Sequence, residues 1–224
     1  MLKYLVIQLS DNSVSYCHYE NTNNSERFMP LETLKQAIRF GMTENLNIQF
    51  VYPKNELPEG YIELIENIDH TKIIPCNSSH TKNADCIVCN GIKDIDKKNI
   101  KNNQIVILRI CRNEIENLSK IYEELKNHCS RVNIIITDIE KFSEDDFNKY
   151  NEILHKLGDV VAENILSNNP TQVNLLSDRI FLKDMKNCNA GDEVMTIMPN
   201  GRFYPCAGFF YDDPDEDYGD LNRG

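Results

Sequence analysis

The chain has 224 residues, of which 41% are hydrophobic and 26% are charged, as in ordinary soluble globular proteins. This length can bury a core in one large domain, or in one domain with a small appendage. The 24 Lys and Arg residues are outnumbered by 35 Asp and Glu residues, and the formal charge of −11 would repel the phosphates of nucleic acid and of an anionic membrane. We therefore expect neither nucleic acid nor membrane as a partner.

The amino terminus and the cysteines indicate the compartment. Gln8 and Ser10 interrupt the first apolar run, which is too short for a signal-peptide core and far too short to span a bilayer. We therefore expect a cytoplasmic protein. In a reducing cytoplasm the 8 cysteines should not form disulfides, so each is either a small buried residue or a thiolate with a chemical role.

Six apolar runs rich in Val and Ile predict β-strands. They lack the strict alternation of a strand that faces water on one side, which favours a parallel sheet covered on both faces. Parallel neighbours need crossover connections, so the pattern predicts an α/β fold, either a doubly wound open sheet or an incomplete barrel. The predicted strands cover residues 3–9, 48–52, 72–75, 84–89, 104–110 and 132–137.

Helical spacing of apolar residues appears between several of these runs. Pro30 opens a first predicted helix, a short one begins near Tyr61, and a third covers 115–125. Ser143, with Asp146 three residues later, predicts a capped start for a long fourth helix.

The composition changes after the long helix. Asn168, Asn169 and Pro170 should end it, and short runs, turns and two cysteines follow. We therefore predict a first domain at 1–169 and a second, small one at 170–224. Residues 211–220 carry six acids and no base, which is typical of a solvated surface loop.

A β-hairpin is predicted inside the second domain. Val194–Met198 forms one strand, Pro199-Asn200-Gly201 the turn, and Arg202–Tyr204 the returning strand. Such a hairpin would bring Cys188 and Cys206 close together. Cysteine thiolates bind iron–sulfur clusters and structural zinc, and two of them supply half of a tetrahedral set. On spacing alone, two small buried residues are the commoner explanation.

Four short motifs around the hairpin carry a family resemblance. They are Cys-x-x-Gly at 188–191, Pro-Asn-Gly at 199–201, Tyr-Pro-Cys at 204–206 and Gly-Asp-Leu at 219–221. The last fifty residues or so thus resemble the SPASM domain that follows the barrel in many radical-SAM peptide-modifying enzymes. The resemblance implies that Cys188 and Cys206 are metal ligands of an auxiliary iron–sulfur cluster. The family's further cysteines lie downstream, and the finish at Gly224 favours a fragment over a degenerate domain that borrows thiols from elsewhere.

The loop after the first strand departs from the same family. Radical-SAM enzymes place a Cys-x-x-x-Cys-x-x-Cys motif there, and in this chain its places fall on Ser10, Val14 and Cys17. Valine cannot ligate iron and serine is a poor substitute for a thiolate. The family's Gly-Gly-Glu-Pro motif after the second strand is replaced by VYPKNELPE. The chain therefore resembles the pseudo-radical-SAM proteins, in particular the Cys-x-x-x repeat peptide maturases.

The remaining cysteines and histidines give weaker signals. Cys86 and Cys89 have a Cys-x-x-Cys spacing, but within a strand their side chains should point to opposite faces. Cys76 and His80 lie in a loop after a strand, and we expect His80 to be a satisfied loop histidine. The sequence contains no Gly-rich phosphate loop, Gly-x-Ser-x-Gly elbow or His-Glu-x-x-His motif.

The resemblance implies an incomplete (β/α)6 radical-SAM-type barrel followed by a small SPASM-like hairpin module. It implies a role in the maturation of a ribosomally made, cysteine-containing peptide, with the precursor peptide and a partner maturation enzyme as binding partners. The implied cofactor is an auxiliary iron–sulfur cluster in a full-length protein, whereas the lost triad argues against S-adenosylmethionine. No catalytic residue is predicted. The alternatives are an active radical-SAM maturase with noncanonical cluster ligands and a metal-free peptide-binding scaffold.

Overall fold

The computed structural model describes residues 1–23, 25–168, 171–181 and 188–221. These residues form two compact units. The first unit contains 1–15, 19–80 and the described residues from 188 onwards, and the second contains 16–18 and the described residues from 81 to 181. Asn169 and Pro170 lie outside the described residues, so the predicted domain boundary stays a prediction.

The described residues form nine strands and six α-helices. The strands are β1 (Tyr4–Gln8), β2 (Asn47–Val51), β3 (Thr71–Pro75), β4 (Cys86–Asn90), β5 (Ile105–Ile110), β6 (Arg131–Ile136), β7 (Gln172–Val173), β8 (Val194–Ile197) and β9 (Phe203–Tyr204). The helices are α1 (Leu31–Thr43), α2 (Tyr61–Glu66), α3 (Leu118–Leu125), α4 (Glu144–Leu166), α5 (Ser177–Phe181) and α6 (Ala207–Asp212). The six predicted strands are confirmed as β1 to β6.

In the first unit the strand order is β3-β2-β1-β8-β9. All neighbours are parallel except β8 and β9, which form the predicted antiparallel hairpin. Tyr4 pairs with Asn47 on one side and with Val194 on the other, so β8 lies directly beside β1. The hairpin therefore extends the sheet to which the amino-terminal strand belongs. Its assignment as a SPASM-like module stays a prediction.

In the second unit β4, β5, β6 and β7 lie in sequence order, and every neighbouring pair is parallel. The parallel α/β prediction is confirmed in both units, whereas the barrel stays a prediction. The connection from β4 to β5 contains only the short 3-10 helices Ile92–Asp94 and Lys97–Asn99. The intervening residues are mostly polar, so this connection has few apolar side chains to pack on the sheet.

Helix α1 packs on one face of the sheet in the first unit. A Cβ atom added at Gly41 would lie 2.8 Å from Ile48 and 3.1 Å from Leu5, so both side chains face this helix. In the second unit Tyr122 of α3 is fully buried, donates to the Thr171 carbonyl and accepts from Asn164 of α4. The predicted α4 cap is confirmed, since Asp146 N donates to Ser143 Oγ. None of the helices in the described ranges has the length and apolar character needed to cross a membrane.

Candidate functional site

The loop after β1 is tied by hydrogen bonds to the end of β2. Ser10 N donates to Ser13 Oγ over 3.0 Å, and Ser13 Oγ donates to the Val51 carbonyl over 3.0 Å. Val14 N donates to the Tyr52 carbonyl, also over 3.0 Å. Ser10, Ser13 and Val14 are all buried. The loop therefore continues the core past the carboxyl ends of the two strands, where ligand sites in parallel α/β folds usually lie.

A second polar network holds the outer part of this loop. The carboxylate of Asp11 is almost fully buried and accepts from Nε and Nη2 of Arg27 at 2.9 and 3.2 Å. Asn21 Nδ2 donates to the Asp11 and Ser13 carbonyls and to the hydroxyl of Tyr211 from α6. Burial, with the nearby Asp11 charge, raises the pKa of Tyr211, so its phenol stays neutral at physiological pH.

The donors in this loop do not fit a cluster held by three thiolates. Ser10 is buried with its hydroxyl 3.0 Å from the Arg27 carbonyl, and Val14 is part of the core. Of the three family positions, only Cys17 supplies sulfur, and its backbone carbonyl accepts from Arg109 Nε at 3.0 Å in the second unit. Valine offers no donor and serine is a poor iron ligand. The loss of the triad itself stays a prediction.

The loops after β2 and β3 meet through one carboxylate, which the sequence analysis missed. Glu56 Oε2 lies 2.8 Å from His80 Nε2, and Ser79 Oγ donates to the other oxygen. The hydrogen bonds from Ser79 and His80 lower the pKa of Glu56. His80 is thus a satisfied loop histidine, as predicted. The sequence contains a signal that could have identified this contact. An acid follows β2 and a histidine follows β3, and the carboxyl ends of neighbouring parallel strands lie at the same edge of the sheet.

The two predicted metal ligands flank the hairpin. Cys188 is exposed, and Cys206 is half-buried just before α6. A Cβ atom added at Gly191 would lie 3.5 Å from Pro205, so the chain segments that carry the two thiols run side by side. Within the ranges that the structure describes, no group of three or more His, Cys, Asp or Glu side chains could hold a metal ion.

The Cys-x-x-Cys pair lies inside β4, as the sequence predicted. The strand continues to Asn90, so Cys86 and the fully buried Cys89 point to opposite faces. Burial, with the Asp85 charge, raises the pKa of Cys86 to about 11. A thiol that stays protonated at neutral pH is a poor metal ligand and a poor nucleophile.

Two buried polar side chains lie on the face of the β1–β8 pair that points away from α1. Leu5 and Ile48 face α1, so strand alternation and register place Gln8 and Thr196 on the opposite face. Both residues are 0% exposed. Neither the Gln8 amide nor the Thr196 hydroxyl has a hydrogen-bond partner among the described residues. The sequence could not predict these unpaired groups. Local apolar patterns indicate which residues are buried, but hydrogen-bond partners come from distant parts of the chain.

Comparisons with solved structures identify a similar fold. The crystal structure of Streptococcus suis SuiB bound to S-adenosylmethionine matches 100% of this chain with a TM-score of 0.57 and 13% identity. SuiB bound to the precursor peptide SuiA matches 95% of this chain with a TM-score of 0.53 and 12% identity. This chain covers 62% and 61% of those two chains, respectively.

No protein-family model matches the sequence. No curated protein matches it either. At 12–13% identity the likeness to SuiB shows the fold alone. The chain is therefore similar in fold to a protein whose structures hold a precursor peptide and S-adenosylmethionine.

Proposed function

We propose that this protein takes part in the maturation of a ribosomally made, cysteine-containing peptide, and that it binds and positions the precursor. The observation that carries the proposal is the fold likeness to SuiB bound to SuiA, which extends over 95% of the chain. The sequence motifs from Cys188 to Leu221 support the proposal independently, because they do not depend on the fold.

The loop after β1 favours a role in positioning the peptide over cleavage of S-adenosylmethionine. Two of the three places that hold the cluster in radical-SAM enzymes are a hydrogen-bonded serine and a core valine. An active maturase would need iron ligands from elsewhere. We therefore derive no step through that cofactor.

The second part of the proposal concerns an auxiliary iron–sulfur cluster. Cys188 and Cys206 would be two of its ligands, since they lie on adjacent segments and one of them is exposed. A tetrahedral set needs two more donors, which the described residues do not supply at this position. The cluster would serve to hold the tail, and with it the peptide, in place.

Peptide binding is tested with a short cysteine-containing peptide sought among the genes that neighbour this one, made by synthesis and titrated against the full-length protein by calorimetry. We expect saturable one-to-one binding. A matched peptide of the same composition in scrambled order should not bind. Equal heats for the two peptides, or none for either, would contradict the proposal.

The cluster is tested by anaerobic reconstitution of the full-length protein, followed by iron and sulfide analysis. Cys188→Ala and Cys206→Ala should each lower the retained iron, whereas Cys86→Ala in β4 serves as the control and should not. Peptide binding with no retained iron would favour the metal-free scaffold. Formation of 5′-deoxyadenosine from S-adenosylmethionine would instead support the active maturase.

A further inference from the structure

A groove lies between α1 and the end of α2 in the first unit. One wall is a row of residues on α1, and the other is formed by the end of α2 and the turn that follows it. The volume of the groove is about 550 Å³. That volume is in the range of ligand-binding pockets, roughly 300–1,000 Å³. We name it the α1–α2 groove, and its principal residues are Lys35, Ile38, Arg39, Met42, Leu64 and Ile68.

The floor of the groove is apolar and partly exposed. Lys35, Ile38, Arg39 and Met42 follow the i, i+3, i+4, i+7 spacing of one helix face, which lies beside the face that α1 buries against the sheet. Met42 is 61% exposed although its neighbour in the stripe, Ile38, is buried. Ile38, Met42, Leu64 and Ile68 together give the groove an apolar lining, which is typical of binding pockets.

The charge of the groove is opposite to that of the whole protein. Its lining contains two cations and no acid, in a chain with a formal charge of −11. Lys35 is 3.4 Å from Glu32, an exposed pair of small energetic weight. Arg39 is exposed and makes no ion pair with any residue in the described part of the chain. The groove therefore attracts an acidic partner that the rest of the surface repels.

The walls also indicate the conformation of the partner. Both walls consist of helical or turn residues, so the groove offers no strand edge for β-pairing. Recognition must then use side chains set into an apolar floor, as when an amphipathic helix binds in a groove. A second cavity of about 660 Å³ adjoins the groove and shares Met42, Asn67 and Ile68 with it. Its lining includes Asp69, so the cationic part of the concave surface is the α1–α2 groove itself.

We propose that the α1–α2 groove docks an acidic, amphipathic helical peptide segment. The apolar face of the segment would cover Ile38, Met42 and Leu64, and its carboxylates would pair with Lys35 and Arg39. This inference rests on the proposed function, because it assigns the groove to a recognition segment of the precursor peptide. The segment would bind away from the loops that follow β1, β2 and β3.

The test uses a fluorescein-labelled designed peptide with Leu at i, i+3, i+4 and i+7 and Glu elsewhere, and a counterpart with Lys in place of Glu. Anisotropy at low salt should show the acidic peptide binding the full-length protein at least about tenfold more tightly than the basic one. Lys35→Glu with Arg39→Glu should reverse that preference. Lys98→Glu with Lys141→Glu has the same net charge change on exposed residues outside the groove and should keep it.

Met42→Ala should weaken binding of the acidic peptide by about fivefold, because it removes an anchor from the apolar floor. Equal affinity of wild type for both peptides would overturn the proposal, and so would equal losses in the groove variant and the control variant. Concentration-dependent self-association that disappears in the groove variant would overturn it in favour of a second copy as occupant.

The precursor peptide separates this inference from the function on which it rests. If wild type binds the precursor and the Lys35→Glu, Arg39→Glu variant binds it equally well, the groove assignment fails and the proposed function stands. If the designed acidic peptide binds in the groove but the precursor does not bind wild type, the proposed function fails. If wild type and the control variant bind the precursor and the groove variant does not, the result supports both the groove assignment and the proposed function.

Discussion

Replacing Gln8 with Met should stabilise the protein. Gln8 is 0% exposed, and neither polar atom of its amide has a partner among the described residues. An amide buried without hydrogen bonds costs about 1–3 kcal/mol, and methionine fills a similar volume without polar atoms. We expect the free energy of unfolding to rise by about 2 kcal/mol, which corresponds to about 4–8 °C in Tm for a chain of this size.

Gln104 provides a matched control because it is equally buried but fully bonded. Its Nε2 donates to the carbonyls of Thr81 and Ala84 at 3.0 and 2.7 Å, and its Oε1 accepts from Lys101 N at 2.7 Å. Each such bond contributes about 1 kcal/mol, so Gln104→Met should lower stability by about 3 kcal/mol.

Calorimetric melting of wild type and both variants tests the reasoning. Opposite signs of the two Tm shifts are expected, although both substitutions are the same chemical change in a buried position. A fall in Tm for Gln8→Met comparable to that for Gln104→Met would refute the argument, because it would mean that the Gln8 amide is satisfied by a bound group.

Three further predictions concern thiols, a loop contact and packing. With a pKa of about 11, Cys86 is only about 0.1% thiolate at pH 8, so iodoacetamide should alkylate the exposed Cys188 first; peptide mapping that shows equal labelling contradicts this. Glu56→Gln should speed amide hydrogen exchange in the loop after β3, because it removes the carboxylate that contacts His80. As the pH falls through the lowered pKa of Glu56, the carboxylate is protonated and exchange in wild type should become as fast as in the variant at the same pH. Unchanged exchange in the variant would contradict this prediction. Gly41→Ala should destabilise by about 1–3 kcal/mol, because its Cβ would meet side-chain atoms at 2.8 Å, whereas Gly158→Ala in α4 has open space and should stabilise by about 0.5–1 kcal/mol; urea melts that rank the two the other way overturn the packing argument.

The strands and the main helices could be predicted because their signals are local. Apolar runs located β1 to β6, and Ser143 with Asp146 located the start of α4 to the residue. The parallel arrangement followed from runs that are apolar on both faces. These features depend on neighbours within a few positions, which the sequence states directly.

The pairing of β8 with β1 and the contacts at the strand ends could not be predicted in the same way. Val194 lies beside Tyr4 across 190 positions, and no local pattern specifies a parallel partner. The bond between Glu56 and His80 joins two loops that become neighbours only when β2 and β3 pair. The hairpin was predicted as a unit because its turn is local, whereas its place in the sheet is decided by packing.

The cavity that adjoins the α1–α2 groove and the loop after β1 lie at opposite ends of β2, which makes the roles of the groove and the loop separable. Asn47 and Thr71 begin β2 and β3 and line the cavity beside the α1–α2 groove. Ser13 and Val14 bond to carbonyls at the other end of β2. A peptide held in the groove would therefore leave the carboxyl edge of the sheet free, so substitutions in the groove should change peptide affinity without disturbing the buried network around Asp11.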